Sequence, residues 1–309
     1  MLSIIIPAYN EELNLPHLKE RLDELIAKLN VNDIPSEVIF VDDHSSDGTS
    51  DIFKIICSQQ KNYKYLRLSR NSGSHIAIIS GFSFAQGDVA VFLASDLQDP
   101  PELVLQLIEK WKEGNDVVWA YRKNIEGVSF FRKINSKIFN FIFNKLTSLP
   151  TTFSGADFAL IDRKVYQSVV SAAGSKPSLG ALITWSGFKQ TGIEYVKEKR
   201  KSGKSKWSLA KKINAFSDAF VGFSYFPLRF MSYLGIIVAA LGFLYATLTI
   251  SLKYIYNTQI QGWTSLMVVV LVLGGLQMLM LGVLGEYLWR NIEESRKRPL
   301  FFIEEKKGF

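Results

Sequence analysis

Two stretches late in the chain carry no charged residue: 231–252, MSYLGIIVAALGFLYATLTISL, and 263–285, WTSLMVVVLVLGGLQMLMLGVLG. A helix needs about 20 apolar residues to cross the hydrocarbon core of a bilayer, and both stretches exceed that. Buried helices of soluble proteins at this length ordinarily keep a polar face. The pattern therefore predicts two transmembrane helices, and it explains why 48% hydrophobic residues coexist with 21% charged ones in 309 residues.

The flanks predict the orientation. Between Lys197 and Arg229 stand nine Lys or Arg against two acidic residues, and Arg290, Arg296, Lys297 and Arg298 follow the second stretch. The connector KYIYNTQIQG holds only Lys253. Positive charge stays on the cytoplasmic side, so the large N-terminal part and the C-terminal tail are both expected in the cytoplasm, on the inner face of a multi-pass membrane protein. Tyr254, Tyr256 and Trp263 at one end, with Tyr225, Tyr287 and Trp289 at the other, suit the aromatic belts of the two interfaces. WSLAKKINAFSDAFVGFSYF, from Trp207 to Phe226, reads as an amphipathic helix at the bilayer surface. The expected boundaries are 1–206 for a cytoplasmic domain, 207–229 for the interface helix, 230–288 for the two spans and 289–309 for the tail. The start, MLSIIIPAYNEE, reads as a first strand rather than a signal sequence: its apolar run is short and no basic residues precede it.

The first 120 residues alternate between strand-like and helix-like patterns. Apolar, β-branched runs at Leu2–Ile6, Glu37–Val41, Tyr65–Leu68, Val89–Leu93 and Val117–Trp119 enclose helical periods such as LPHLKERLDELIAKL and PELVLQLIEKWKEG. Such alternation predicts an α/β, Rossmann-like parallel sheet, whose ligands bind beyond the carboxyl ends of the strands. Polar clusters lie at four of those ends: PAYNEE, VDDHSSDGT, SRNSG and ASDLQDPP. Asp42 and Asp43 are suited to accept hydrogen bonds from a base and ribose, Arg70 to meet a phosphate, and Asp96 to hold a divalent cation against a diphosphate. Asp47 reads as a cap for the helix starting near Thr49, and Asp99, just before two prolines, as a helix N-cap. Gly73 suits a tight strand-to-helix turn, and Ala77 with Gly81 would let that helix pack closely on the sheet. SRNSGSHIAIISG lacks both dinucleotide and P-loop fingerprints. One cysteine and three unclustered histidines exclude a disulfide framework and a Cys/His metal centre. The net charge of +7 gathers beside the apolar stretches, which favours lipid headgroups and phosphorylated substrates over nucleic acid.

In order along the chain, IIIPAYNEE, VDDHSSDGT, RNSGSHIAIISGF and SDLQDPPE resemble the motifs of GT-A fold, family 2 glycosyltransferases. SGADFALIDRKV, RKSGKSKWS and LGEYLWRNIEESRKRP are similar to segments of that family's polyprenyl-phosphate (dolichyl-phosphate mannose synthase-like) branch. The resemblance implies an inverting enzyme that moves a sugar from a nucleotide-diphosphate sugar to polyprenyl (undecaprenyl) phosphate, for modification of a cell-surface glycan. Uridine is the expected base, with guanosine the alternative. It further implies that Pro7, Tyr9, Glu11, Asp42 and Asp43 cradle the nucleoside, and that Asp96 and Gln98 flank a metal, Mg²⁺ or Mn²⁺, and the diphosphate. Arg122, Arg132 and Ser136 would meet the lipid phosphate. Arg200, Ser205 and Lys206 would close over the diphosphate, and Asp157 would be a catalytic or orienting carboxylate near the acceptor. Members of this branch also assemble as oligomers, and the small residues of GGLQMLMLG permit close helix packing.

The chain departs from the family pattern twice. Ala94 stands where a first metal-motif aspartate is usual, and Ala159 where an arginine is. Loss of one anionic ligand weakens a divalent-cation site, yet Mg²⁺ needs only one or two carboxylates beside substrate phosphates. Two other readings compete: a catalytically impaired membrane scaffold or lipid- or nucleotide-binding regulator, supported by the two alanines, and a polysaccharide synthase. The second lacks support, because two spans are too few for a channel and no Gln-x-x-Arg-Trp acceptor motif is present.

Overall fold

The structure, a computed structural model, describes residues 1–122, 156–174, 177–196, 224–256 and 262–309. They form two compact units. The first is built on a sheet of eight strands in the order β7-β5-β6-β4-β1-β2-β3-β8. Along the chain these are β1 (Leu2–Ala8), β2 (Ser36–Asp42), β3 (Tyr63–Leu68), β4 (Val89–Phe92), β5 (Val117–Arg122), β6 (Ala156–Asp162), β7 (Gln190–Tyr195) and β8 (Ile303–Lys307). The helices between them are α1 (Leu15–Val31), α2 (Thr49–Gln59), α3 (Ser74–Phe84), α4 (Val104–Lys112, entered through a 3-10 turn at Pro101–Leu103), α5 (Arg163–Ala172) and α6 (Leu179–Trp185).

The centre, β4-β1-β2-β3, is parallel. Its strands are near-continuous apolar runs because both faces are covered; Ile4, Ile5, Ile6, Val38, Ile39 and Val41 have no exposed surface. The helix α3 is apolar on all sides, with Ala77, Ile78, Ile79 and Phe82 buried. It lies on the sheet through Gly81, where an added Cβ would stand 2.4 Å from Ile5 Cγ2. Its other side meets α5, with Phe82 stacked on Tyr166 at 5.7 Å between ring centroids.

The parallel sheet expected from the alternation forms the centre, and antiparallel strands join it at both flanks. Strand β6 runs antiparallel between β4 and β5, and β5 pairs in parallel with β7 rather than with the central set. At the opposite edge β8, from the C-terminal tail, pairs antiparallel with β3. The segment 289–309 is thus not one tail: its beginning continues the last helix, and its end covers an otherwise open strand edge, a standard protection against edge pairing.

The second unit contains α7 (Phe226–Tyr256) and α8 (Trp263–Ser295). At 1.5 Å per residue they are roughly 46 and 50 Å long, and both are long and apolar enough to cross a membrane. Ile236, Leu241, Phe243, Leu266, Val272 and Leu281 each leave more than half their surface exposed, a contiguous apolar display that water does not tolerate on a soluble domain. Within this unit the Tyr287 hydroxyl donates to the Ser224 carbonyl at 2.7 Å. The expected interface helix falls at 207–223 outside the described residues.

Candidate active site

Every parallel strand of the first unit points its carboxyl end toward one edge of the sheet, and there the chain turns sharply after β1, β2, β3 and β4. Asn10 after β1, His44 after β2 and Leu97 after β4 adopt positive φ (53°, 60° and 60°), and Gly73 after β3 has φ 91°. Asn and His tolerate this region better than most residues; a buried leucine does so at a cost of about 1–2 kcal/mol. Backbone strain of this kind persists where surrounding contacts over-determine it, and the contacts here do so.

The first two loops are stitched together. Asn10 N–H donates to Ser45 Oγ (2.9 Å), and Ser46 N–H donates to Asn10 Oδ1 (2.8 Å). Glu11 N–H reaches Thr49 Oγ1 (2.9 Å), Glu12 N–H reaches Asp47 Oδ2 (3.2 Å), and Gly48 N–H reaches Glu12 Oε2 (3.0 Å). Asp47 was expected to cap α2; the cap position is Gly48, which has no side-chain cap bond, and Asp47, one residue earlier, accepts from Thr49 N–H at 3.1 Å, the first amide of the helix. Burial pushes the Asp47 pKa up, but these hydrogen bonds outweigh it and the group lies below its ordinary value. Asp43 ties in the third loop, its two oxygens accepting from Ser72 N–H (2.6 Å) and Gly73 N–H (2.8 Å). Burial dominates at Asp43 and holds its pKa above the usual carboxylate value despite those donors.

The fourth loop carries Asp96, nine-tenths buried, whose Oδ1 accepts from Gln98 N–H at 3.1 Å across the left-handed Leu97. Gln98 is half-buried. Beside it the Tyr195 hydroxyl, at the end of β7, donates to the buried Asp99 at 2.6 Å. Asp99 was expected to cap a helix; the cap position is Pro100, which has no side-chain cap bond, and Asp99 instead anchors the loop to β7.

Of the residues marked in the sequence, Pro7, Tyr9, Glu11, Asp43, Arg70, Asp96, Gln98 and Arg122 gather at this edge by strand topology. Pro7 is half-buried within β1, Tyr9 and Glu11 are half-buried just past it, and Arg70 and Arg122 are exposed. Because β6 is antiparallel to β4, it begins where β4 ends, so the backbone of Asp157 is brought to the same edge. Ala159, two residues on, is fully buried opposite Trp119. Asp42 departs from expectation. It has no exposed surface, and its oxygens accept from Ser45 N–H (2.8 Å) and Arg67 Nη1 (2.5 Å), so it holds the β2 loop in place and has no face for a base. Arg132, Ser136, Arg200, Ser205 and Lys206 lie outside the described residues. Sequence reasoning missed Arg67, Asn10 and Tyr195; only Arg67 left a signal, as an arginine inside the apolar strand YKYLRL.

A parallel-centred sheet with its polar loops knitted along one edge, flanked by an antiparallel β6, is a GT-A sheet. The match to glycosyl transferase family 2 spans residues 3–170, and the chain belongs to that family of glycosyltransferases. Among its relatives is an uncharacterized glycosyltransferase, YkcC, of Bacillus subtilis (strain 168), 38% identical over 306 residues, covering 99% of this chain and 94% of the relative. The bactoprenol glucosyl transferase of Shigella phage SfV is 31% identical over 306 residues, covering 99% of each chain. A prophage bactoprenol glucosyl transferase homolog of Escherichia coli (strain K12) has the same identity and coverage.

Proposed function

We propose that this chain transfers a sugar, with inversion, from a nucleoside-diphosphate sugar to the phosphate of a membrane polyprenol, with undecaprenyl phosphate the expected acceptor and a uridine nucleotide the expected donor. Full-length similarity to bactoprenol glucosyl transferases supports the reaction class. The observation that supports the donor site is the polar strand edge, where Asp43 after β2 and Asp96 after β4 are buried in the loops on either side of the one that follows β1.

The chemistry asks little of a base. A phosphate monoester has a second pKa near 6 and is already largely anionic at neutrality. A lipid-phosphate oxygen attacks the anomeric carbon from the face opposite the leaving group; the bond from that carbon to the donor's diphosphate breaks, and the nucleoside diphosphate departs with the electron pair. The protein must align two phosphorylated partners and neutralise their charge. Pro7, Tyr9 and Asp43 would line the nucleoside side, with Arg70 toward the phosphates and Arg122 toward the acceptor. Asp157 would orient the acceptor.

Among the described residues no three His, Cys, Asp or Glu side chains converge. The fit to a metal therefore rests on hard oxygen donors: the Asp96 carboxylate, the Gln98 amide oxygen and the donor's own diphosphate, a set that suits Mg²⁺ or Mn²⁺ shared with substrate. Such an ion would neutralise charge developing on the diphosphate. Ala94 makes the site weaker than one with two carboxylates.

Strand β8 supports the cytoplasmic placement of both chain ends. It follows α8 yet pairs with β3 in the sheet, which fits both ends of the chain lying on one side of the membrane. Assembly into homo-oligomers is retained as part of the proposal. Titration calorimetry with UDP and GDP, with and without Mg²⁺, tests the donor site. Metal-enhanced binding of one nucleotide, lost in Asp96→Ala, is expected; binding that ignores both metal and Asp96 would refute the site.

A further inference from the structure

We propose that the C-terminal strand is a working part of the donor site, with Glu304 acting through Arg67 and His44 as a positioning residue for the nucleotide-binding loops. The inference rests on the donor site described above and concerns a segment far from it in sequence.

The contacts run in series. Arg67 of β3 donates from Nε to Glu304 Oε2 (3.0 Å), from Nη1 to Asp42 Oδ2 (2.5 Å) and from Nη2 to the Ser45 carbonyl (3.1 Å). All three directions of the planar guanidinium are thereby committed, which fixes its plane. Asp42 and Ser45 bracket the turn that contains Asp43 and His44. Ser45 in turn receives the Asn10 amide from the first loop. Glu304 also lies 3.2 Å from His44 Nδ1, which is 3.2 Å from the Leu68 carbonyl. Both neighbours are acceptors, so Nδ1 carries the proton and His44 is held in its left-handed turn from two sides.

The strand that presents Glu304 is itself well fastened. Residues Ile303 to Lys307 pair with β3, and the Phe302 carbonyl accepts from Ser69 N–H at 3.0 Å, one residue before Arg70. Lys54 of α2 pairs with Glu305 at 2.8 Å, and Phe309 packs edge-on against Phe84 of α3 at 5.1 Å. A polar segment such as IEEKK has no core of its own to fill. Its placement against the β2 and β3 ends gives Glu304 a reason to be there that stability alone does not: the carboxylate is half-exposed, where an ion pair contributes little to folding. Arg67 beside Glu304 lowers the carboxyl's pKa, so the contact is charged at neutral pH.

The test is Glu304→Ala and Glu304→Gln in the full chain, read by UDP titration, donor KM, acceptor KM, kcat and Tm. Glu304→Ala is expected to weaken UDP binding and raise donor KM about threefold to fivefold, the scale of a half-exposed ion pair. Acceptor KM, kcat and Tm should stay at wild-type values, and Glu304→Gln, which keeps an acceptor oxygen, should recover part of the loss. Unchanged donor KM in Glu304→Ala, or a fall in Tm with donor and acceptor KM rising together, overturns the positioning role. A wild-type protein that binds neither UDP nor GDP overturns the donor site itself, and this role with it.

Discussion

Arg67 and Asp42 form the pair on which the β2 loop rests, and replacing Arg67 by methionine measures it. Methionine fills much of the arginine stem's volume while removing every hydrogen bond. Asp42, with no exposed surface, would keep its bond from Ser45 N–H and lose the Arg67 guanidinium at 2.5 Å. Breaking a buried ion pair from one side costs about 3–5 kcal/mol. The Arg67 side chain retains 16% of its exposure, so water can follow the methionine toward the carboxylate, and the lower end, about 3 kcal/mol, applies. For a unit of this size each kcal/mol moves the midpoint by roughly 2–4 °C, so Tm should fall by roughly 6–12 °C. Thermal melts of the full chain in detergent, followed by circular dichroism, read it. Arg67→Met/Asp42→Asn should recover at least half of the loss, because no buried charge is then left alone. A shift below about 2 °C with no recovery in the double variant would refute the claim that Asp42 is a buried, Arg67-dependent strut.

Two further outcomes follow from the same packing. Gly81→Ala should destabilise the sheet unit by about 1–3 kcal/mol, because its Cβ would stand 2.4 Å from Ile5 in a filled core; chemical denaturation checks this, and a neutral result would mean that α3 can lift from β1 at no cost. Burial raises the pKa of Asp43 above its ordinary 3.8. The folded protein then holds a proton that the unfolded chain has released, so this group's contribution is full below about pH 4 and is lost as pH rises through the folded value. Stability profiles of wild type and Asp43→Asn should therefore diverge upward from about pH 4, the wild type losing more; parallel profiles would contradict it.

The parts of this molecule that follow from local pattern are those whose neighbours are local. Strands β1 to β5 announce themselves as apolar β-branched runs because both faces of the sheet are covered, and the two long helices because nothing polar interrupts them. Strand β6 hid in a motif: ADFALID is as apolar as its neighbours, but its antiparallel insertion between β4 and β5 depends on partners more than 30 residues away. Strand β8 was illegible for the opposite reason. IEEKK has no apolar alternation, and hydrogen bonding to the open edge of β3 makes it a strand. The loop chemistry of PAYNEE, VDDHSSDGT and SDLQDPP marks one edge of the sheet, and the strand topology brings those loops to it. The division of labour within it did not show, since Asp42 becomes structural through Arg67, 25 residues on, and Asp99 through Tyr195, 96 residues on. Adjacent aspartates look alike in sequence; Asp42 is held by Arg67 and Asp43 by the Ser72 and Gly73 amides, partners that only the fold brings together.

The central claim is sugar transfer to a lipid phosphate, and mass spectrometry of the lipid product tests it most directly. Purified full chain would be incubated with undecaprenyl phosphate, Mg²⁺ and a panel of UDP- and GDP-sugars, and the organic phase analysed. The account predicts one new species, the polyprenyl monophosphate carrying a single sugar, formed from one donor together with an equal amount of nucleoside diphosphate. A polymer would point to a synthase. Intact acceptor with every donor, despite tight nucleotide binding, would contradict the account and leave a chain that binds its donor without using it.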